Sequence, residues 1–275
     1  MKNLRAIFFL TSTLGVGVLS TVLALNWKDI DLQKVASGSG KLLQGAAGLS
    51  DESEQKIGRE VASRLAAQYG LIDDEAKLQY LALIGQTLIK NSARRSIPYH
   101  FGILKSEEVN ARATPGGYVF VTEGLLKFVK SEAELGGVLA HEISHITQKH
   151  IAKAIRKSNL LGAGIDFASV SGQNVEAFSK VTDYSMKLLE NGLSREDELD
   201  ADRAGVLLAA KTGYDATAFK EVVSRLGDSK GSVFAHLHKT HPPTAQRVRV
   251  IATTLKKCPS GGERLPERFQ KVFPS

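Results

Sequence analysis

The sequence predicts an α+β fold that is mostly helical and contains one small β-sheet. Apolar residues recur at helical spacing through most of the chain after residue 50. Between Pro98 and Thr122, β-branched and aromatic residues instead cluster between turn-forming residues, which is typical of short strands. The 275 residues are 43% hydrophobic and 24% charged. This composition excludes a disordered chain and a protein with many membrane spans.

An apolar stretch without charges covers residues 6–25, and Lys2 and Arg5 precede it. About 20 helical residues span about 30 Å, the thickness of a bilayer core, so we expect a signal peptide or an uncleaved membrane anchor. No clean cleavage site follows, and both alternatives remain open, with a buried helix as a third. The positive charges before the stretch predict that the rest of the chain is exported.

Four segments follow from the composition along the chain. We expect a signal peptide or N-terminal anchor over 1–27, a linker over 28–49, a folded domain over 50–256 and a C-terminal tail over 257–275. The linker mixes Gly, Ser, Ala and Lys without a sustained period. The domain begins at a capping signal, in which Asp51 and Glu54 precede apolar residues spaced four apart.

Helices and strands of the domain follow from periodicity and capping. Helices are expected from Asp51 and over 73–90, 131–157, 194–211, 216–226 and 244–256. Strands are expected over 100–104, 109–113 and 118–122, with a Pro-Gly-Gly turn at 115–117. Residues 158–192 are less regular and could hold a mobile loop or a further helix.

Metal chemistry is indicated by His141-Glu142-Ile143-Ser144-His145 within the longest predicted helix. Histidines four residues apart share one helix face, so both rings can reach one cation, and Glu142 lies beside them. The single cysteine, Cys258, excludes an internal disulfide and a cysteine-based zinc site. Any metal must therefore be held by histidine and carboxylate side chains.

A third ligand is available in the acidic stretch from Ser194 to Asp202, which has five acidic residues in its last seven positions. Glu198 and Asp202 are four residues apart and share a face, so one can bind a metal while the other orients a ligand histidine. The alternative is a solvated acidic first turn that the helix dipole favours.

These motifs, together with NARATPGGYVFVT at 110–122 and THPPTAQRV at 240–248, resemble the HtpX/Oma-type zinc metallopeptidases, a gluzincin family. The resemblance covers about residues 50–255 and implies a zincin-like domain whose small sheet borders the active-site helix. It implies one Zn²⁺ per chain on His141, His145 and Glu198. It also implies Glu142 as the general base and Asp202 as the partner that orients a ligand.

By the same resemblance, the chain is expected to be an endopeptidase of the bacterial exported branch. Its expected substrates are unfolded or misassembled envelope proteins. The expected location is the periplasm or the periplasmic face of the inner membrane, with membrane association possible through the N-terminal segment. One rival is a chaperone or assembly factor on the same fold with weak or no proteolysis. A nucleic-acid-binding protein is suggested only by the net charge of +7, which no basic run concentrates, so we expect no nucleic-acid partner.

Secondary positions complete the predicted site. His241 is expected either to stabilise an oxyanion or to cap the last helix. The strand at the cleft is expected to bind extended substrate by strand addition, through Asn110, Ala111, Arg112 and Ala113. Arg112 stands where relatives usually carry an apolar or aromatic residue, so selectivity is expected to differ.

The remaining histidines are not expected to bind the metal. On a continuous helix, His150 lies about 140° from His145 and about 180° from His141, so it faces away from the cation. His100 is expected to serve packing, and Cys258 is expected to be incidental. The sequence assigns no role to His236 and His238.

Overall fold

Helices dominate the chain after residue 49, as the apolar spacing predicts. The structure is a computed structural model that describes residues 7–9, 23–25, 49–158 and 174–274. The helices in these residues are α1 Asp51–Tyr69, α2 Glu75–Asn91, α3 Glu123–Phe128, α4 Glu132–Thr147, α5 His150–Lys157, α6 Val175–Asn191, α7 Arg195–Thr212, α8 Thr217–Asp228, α9 Ser232–Thr240, α10 Thr244–Leu255 and α11 Pro266–Val272. The prediction of a mostly helical α+β fold is confirmed.

A three-stranded sheet forms where β-branched and aromatic residues cluster. Its strands are β3 His100–Leu104, β4 Ala111–Thr114 and β5 Tyr118–Thr122, in the order β3-β5-β4. The central strand β5 runs parallel to β3 and antiparallel to β4. Pro115–Gly117 forms the turn, and Gly116 has a φ of 71°, a conformation that favours glycine. β4 is therefore an edge strand, and it begins two residues later than the strand predicted over 109–113.

The ends of the apolar N-terminal stretch are extended. Ile7–Phe9 forms β1 and Leu23–Leu25 forms β2, and the two strands pair antiparallel. The prediction of a helix is wrong at these six residues: Ile7–Phe9 consists of β-branched and aromatic residues, which favour strands, whereas the composition of Leu23–Leu25 does not explain its strand. Of the helices that the structure describes, none combines the length and the apolar character needed to cross a membrane. The predicted linker, except its residue 49, lies outside the described residues.

The helix α4 lies at the centre of the domain, between the sheet and the helices α7 and α8. Every residue from Glu132 to Ile146 is buried. Two glycines allow the neighbouring helices to approach closely. A Cβ atom on Gly137 would lie 2.6 Å from the Cβ of Phe219 in α8, and one on Gly205 in α7 would lie 2.9 Å from the backbone nitrogen of His141. Side chains at either position would push α7 or α8 away from α4.

The long predicted helix is broken between α4 and α5. Lys149 adopts a left-handed conformation, with a φ of 55°, and a new helix begins at His150. Such a residue costs about 1–3 kcal/mol and persists where surrounding contacts hold it. The Lys149 ammonium group lies 2.9 Å from an oxygen of Asp51 and 2.7 Å from one of Glu54. The continuous helix to residue 157 is therefore a wrong prediction, because these contacts come from α1, far away in the sequence.

Three helices, α3, α9 and α11, lie where the sequence predicted none, and α6 lies in the span 158–192, for which a further helix was one of two alternatives. Within the span 158–192, residues 159–173 lie outside the described residues, and most of the rest is α6. The expected tail also packs on the domain, since Phe269 and Phe273 join the hydrophobic core. Arg268 of α11 donates to Glu132 at the start of α4, at 2.6 Å between Nε and Oε2. Cys258 is half-buried, and its thiol contacts Thr254 O.

We expect the stability of the folded protein to fall as the pH is lowered, because His100 is buried. Its ring stacks on Tyr118 with 4.5 Å between ring centroids, and burial lowers its pKa from 6.5 to about 4. The unfolded chain therefore takes up this proton as the pH falls below 6.5, whereas the folded protein does so only near pH 4. This difference should remove about 2 kcal/mol of stability between pH 7 and pH 5.

The variant His100→Phe should lose less stability over the same pH range, because it keeps an aromatic ring against Tyr118 without a titratable group. Urea unfolding of both proteins at pH 7, 6 and 5 measures the difference. Equal losses in the two proteins would show that the neutral state of His100 is not the cause.

Candidate metal centre

Three buried side chains from α4 and α7 meet at one point. His141 and His145 lie one turn apart on α4, and their Nε2 atoms are 3.1 Å apart. Glu198, in the first turn of α7, places Oε2 at 3.6 Å from Nε2 of His141 and Oε1 at 3.5 Å from Nε2 of His145. One ligand atom from each residue lies within 4.8 Å of the others. Over the described ranges, no other group of histidine, cysteine or acidic side chains meets this criterion.

The donor set fits a divalent metal ion. Glu198 Oε2 is buried and has no hydrogen-bond partner. Leaving a carboxylate oxygen buried in this way is costly unless a cation compensates it. Burial disfavours the charge of Glu198, but the nearby rings of His241 and His145 outweigh burial and hold its pKa well below the ordinary value. The carboxylate and the two ring nitrogens could serve as three ligands of such an ion, and catalytic sites of this kind keep a further position for water or substrate.

The ring of His141 is oriented by Asp202, one turn after Glu198 on α7. His141 Nδ1 lies 3.0 Å from Asp202 Oδ1. Asp202 is fully buried and accepts two hydrogen bonds from Arg247 of α10, at 2.9 Å to Oδ2 and 2.7 Å to Oδ1. Burial opposes protonation of His141, but its contacts with Asp202 and Glu198 outweigh burial and raise its pKa to about 9. Asp202 therefore joins three helices at the centre.

Glu142 and His241 lie beside the three ligand side chains. Glu142 is 6% exposed and lines the same cleft, and burial raises its pKa to about 7. A carboxyl group with this pKa can take up and release a proton near neutral pH. His241 is the C-cap of α9, rather than a cap of α10, and its Nε2 lies 3.4 Å from Glu198 Oε2. Burial lowers the pKa of His241 to about 4, so its ring is neutral at pH 7.

The edge strand β4 forms one wall of the cleft. The cleft is lined by Asn110, Ala111, Arg112 and Ala113 together with Glu142, His145, Glu198 and His241. Arg112 Nη1 donates to Leu189 O in α6 at 2.8 Å, and Nη2 donates to the Tyr69 hydroxyl at 3.2 Å. Arg112 therefore fastens the edge strand to the C-terminal end of α6.

The two histidines without an assigned role make backbone contacts. His236 Nε2 lies 3.3 Å from Leu189 O, the same carbonyl that Arg112 contacts, and His238 Nε2 lies 3.1 Å from Ser229 O. Neither belongs to the group of His141, His145 and Glu198.

Two residues at the centre were missed by sequence reasoning. His150 is not a member of the ligand group, but its Nδ1 lies 2.9 Å from His145 Nδ1. The break at Lys149 turns it towards His145, and no local sequence signal indicates this break. Arg247 was missed because helical periodicity does not distinguish a buried arginine from an exposed one.

Comparisons with known proteins agree with this geometry. The model of Peptidase family M48 matches residues 75–255. The chain is 29% identical over 207 residues to the beta-barrel assembly-enhancing protease of Yersinia pestis, covering 71% of this chain and 42% of that protein. The protein of the same name from Escherichia coli K12 is 30% identical over 188 residues, with coverages of 66% and 39%.

A third relative is the mitochondrial metalloendopeptidase OMA1 of Schizosaccharomyces pombe. It is 26% identical over 212 residues, which cover 74% of this chain and 61% of that protein. The chain spans about two fifths of the length of the two assembly-enhancing proteases that it matches.

The buried ion pair predicts unequal roles for two acids of α7. Asp202→Ala leaves the buried charge of Arg247 without its partner, so we expect a loss of about 3–5 kcal/mol in the free energy of unfolding. Glu196→Ala, at an exposed position in the first turn of the same helix, should cost less than about 1 kcal/mol. Urea unfolding in the presence of a chelator measures both values without a contribution from metal. Similar values for the two variants would contradict the structural role of Asp202.

Proposed function

We propose that the chain, which belongs to peptidase family M48, is a metalloendopeptidase that uses zinc to hydrolyse unfolded or misassembled proteins of the bacterial envelope. The observation that carries the proposal is the buried group of His141, His145 and Glu198, with Glu142 beside it. Two imidazoles and one carboxylate with an open position are typical of a catalytic zinc site.

The proposed mechanism divides the chemistry among the side chains of the cleft. Zinc held by His141, His145 and Glu198 would supply a Lewis acid for the activation of water and the polarisation of the scissile carbonyl group. Glu142 accepts the proton of the attacking water and delivers it to the leaving amide nitrogen. Its pKa of about 7 suits both steps. Asp202 Oδ1 lies 3.0 Å from His141 Nδ1, so the carboxylate favours a proton on Nδ1 and leaves the lone pair of Nε2 for the metal.

His241 is the candidate donor to the negative charge that develops on the carbonyl oxygen. Its Nε2 faces the centre, at 3.4 Å from Glu198 Oε2. This role requires the ring proton on Nε2; Nδ1 lies 2.9 Å from the Thr240 hydroxyl and 3.2 Å from Leu237 O. A preorganised donor at this point stabilises the transition state more than the ground state.

The edge strand β4 suits unfolded protein segments as substrates. Among the described residues, β4 pairs only with β5, so its other edge can pair with an extended peptide beside Glu142. Folded proteins rarely offer a free extended segment. Arg112 contributes a positive charge to this wall and is proposed to influence selectivity.

An envelope location is part of the proposal. It is supported by the uncharged stretch 6–25 behind Lys2 and Arg5, which favours export to the periplasm and association with the inner membrane. Two relatives carry the name beta-barrel assembly-enhancing protease, and transmembrane β-barrels belong to the bacterial outer membrane.

The second candidate function is a chaperone or assembly factor with weak or no proteolysis. The words "assembly-enhancing" in the names of two relatives favour it. The same edge strand could hold a client segment without cleaving it.

Glu142→Gln tests the proposed function. We expect the variant to lose about 10²-fold to 10⁴-fold in the rate of casein cleavage, because the general base is removed while the three ligands remain. Its zinc content, measured by elemental analysis, should equal that of the wild type. A chelator should abolish cleavage by the wild-type protein. The exposed Glu196→Gln on α7 is the matched control and should keep full activity.

Two results would contradict the proposal. If the purified wild-type protein holds no zinc at neutral pH, the assignment of a zinc site is wrong. If Glu142→Gln cleaves casein as fast as the wild type, Glu142 is not the general base. A cellular role that survives this substitution would favour the chaperone.

A further inference from the structure

We propose that His150 is a positioning residue of the metal centre, which holds the ring of His145 through an Nδ1–Nδ1 hydrogen bond and is itself held by an acid of α7. The inference rests on the proposed function, since His145 is a ligand only if the centre binds a metal ion. His150 lies outside the ligand group and contacts it at His145.

The contacts form a chain from α7 to the centre. His145 Nε2 faces His141 and Glu198, whereas its Nδ1 lies 2.9 Å from His150 Nδ1. On the far side of His150, Nε2 lies 3.4 Å from Asp200 Oδ2 and 3.9 Å from Asp197 Oδ1. The side chain of His150 is 1% exposed, so water does not replace these partners readily.

Hydrogen-bond chemistry fixes the position of each proton in this chain. A histidine that binds a metal through Nε2 is neutral and carries its proton on Nδ1. His145 is therefore the donor, and His150 Nδ1 must be the acceptor. The proton of a neutral His150 is then on Nε2, which faces Asp200 Oδ2. With both rings neutral, each proton of this chain therefore faces an acceptor.

The two ligand histidines are therefore oriented by different means. His141 faces the carboxylate of Asp202 directly, and Arg247 neutralises that carboxylate. His145 faces a neutral imidazole, with the carboxylate of Asp200 one step further away. Both acids lie on α7, the helix that also carries Glu198. A single helix thus supplies one ligand and the groups that orient the other two.

The break between α4 and α5 is what makes the contact possible. In an unbroken helix, His150 would be rotated by about 140° from His145 and would point away from it. The left-handed Lys149 reverses this direction, and Asp51 and Glu54 hold Lys149 in place. The left-handed conformation of Lys149 is energetically unfavourable, and it allows the hydrogen bond between His150 and His145.

Zinc affinity tests the inference with a readout other than activity. In the whole chain, His150→Leu removes the acceptor and should weaken zinc binding about 10-fold to 100-fold, measured by competition with a chromogenic chelator. His150→Asn places an amide oxygen near the position of Nδ1 and should stay within about threefold of the wild type. A space-filling role predicts the opposite order, because leucine fills the apolar volume better than asparagine does.

His100→Phe is the matched control, since it replaces another buried histidine that lies outside the centre, and it should leave zinc affinity unchanged. Thermal unfolding of each metal-free variant shows whether it is folded. If His150→Leu does not fold, the comparison of His150→Asn with His150→Gln decides, because the longer glutamine moves the acceptor away from the Nδ1 position. We expect the asparagine variant to bind zinc more tightly.

The outcomes separate the two proposals. Absence of zinc from the wild-type protein would overturn the proposed function. Zinc binding by the wild type with unchanged affinity in His150→Leu, or with equal affinities in the asparagine and glutamine variants, would overturn only the role of His150.

Discussion

The buried contact between Asp202 and Arg247 is the interaction on which the centre depends. Asp202 has no exposed surface, accepts two hydrogen bonds from Arg247, and lies against His141. One carboxylate thereby connects α7, α10 and α4. Because each buried charge needs the other, the position of α10 is coupled to the orientation of a ligand ring. Gly205 completes this arrangement, since the absence of a side chain lets α7 lie against the backbone of His141.

Two carboxylates in the same cleft are given opposite acid–base properties by their surroundings. Glu142 is buried with little compensation, and its pKa rises to about 7. Glu198 is equally buried, but the rings of His241 and His145 lie near it and its pKa falls. Divergent environments of this kind assign different roles to chemically similar groups. The same residue type thus provides one carboxyl group that can exchange a proton near neutral pH and one whose pKa favours the ionised form needed to bind a cation.

Local sequence patterns predicted the residues of the candidate metal centre better than the residues that hold them in place. His141, His145 and Glu142 follow from spacing on one helix, and Glu198 with Asp202 follows from the same rule on another, because neighbours in sequence determine helix faces. The strands at 100–104 and 118–122 follow from composition in the same way. Lys149 could not be predicted, since its conformation depends on α1, and the place of His150 depends on Lys149. The helix predicted for the N-terminal stretch is wrong at the described residues, because apolar character alone does not distinguish a strand from a helix.

Segments outside residues 75–255 hold the start of α4 directly and its end through Arg94. At its start, Glu132 is bound by Arg268 of α11. At its end, Ile146 O accepts a hydrogen bond from Arg94, whose guanidinium group is held by Asp51 and Glu54 of α1. α1 is also packed closely, since a Cβ atom on Gly58 would lie 1.7 Å from Pro115 O. The contacts that hold α4 therefore come from a range of the chain, Ser50 to Phe273, that is wider than residues 75–255, and a fragment cut to the limits of the family match would lack the partners at both ends of the helix that carries His141 and His145.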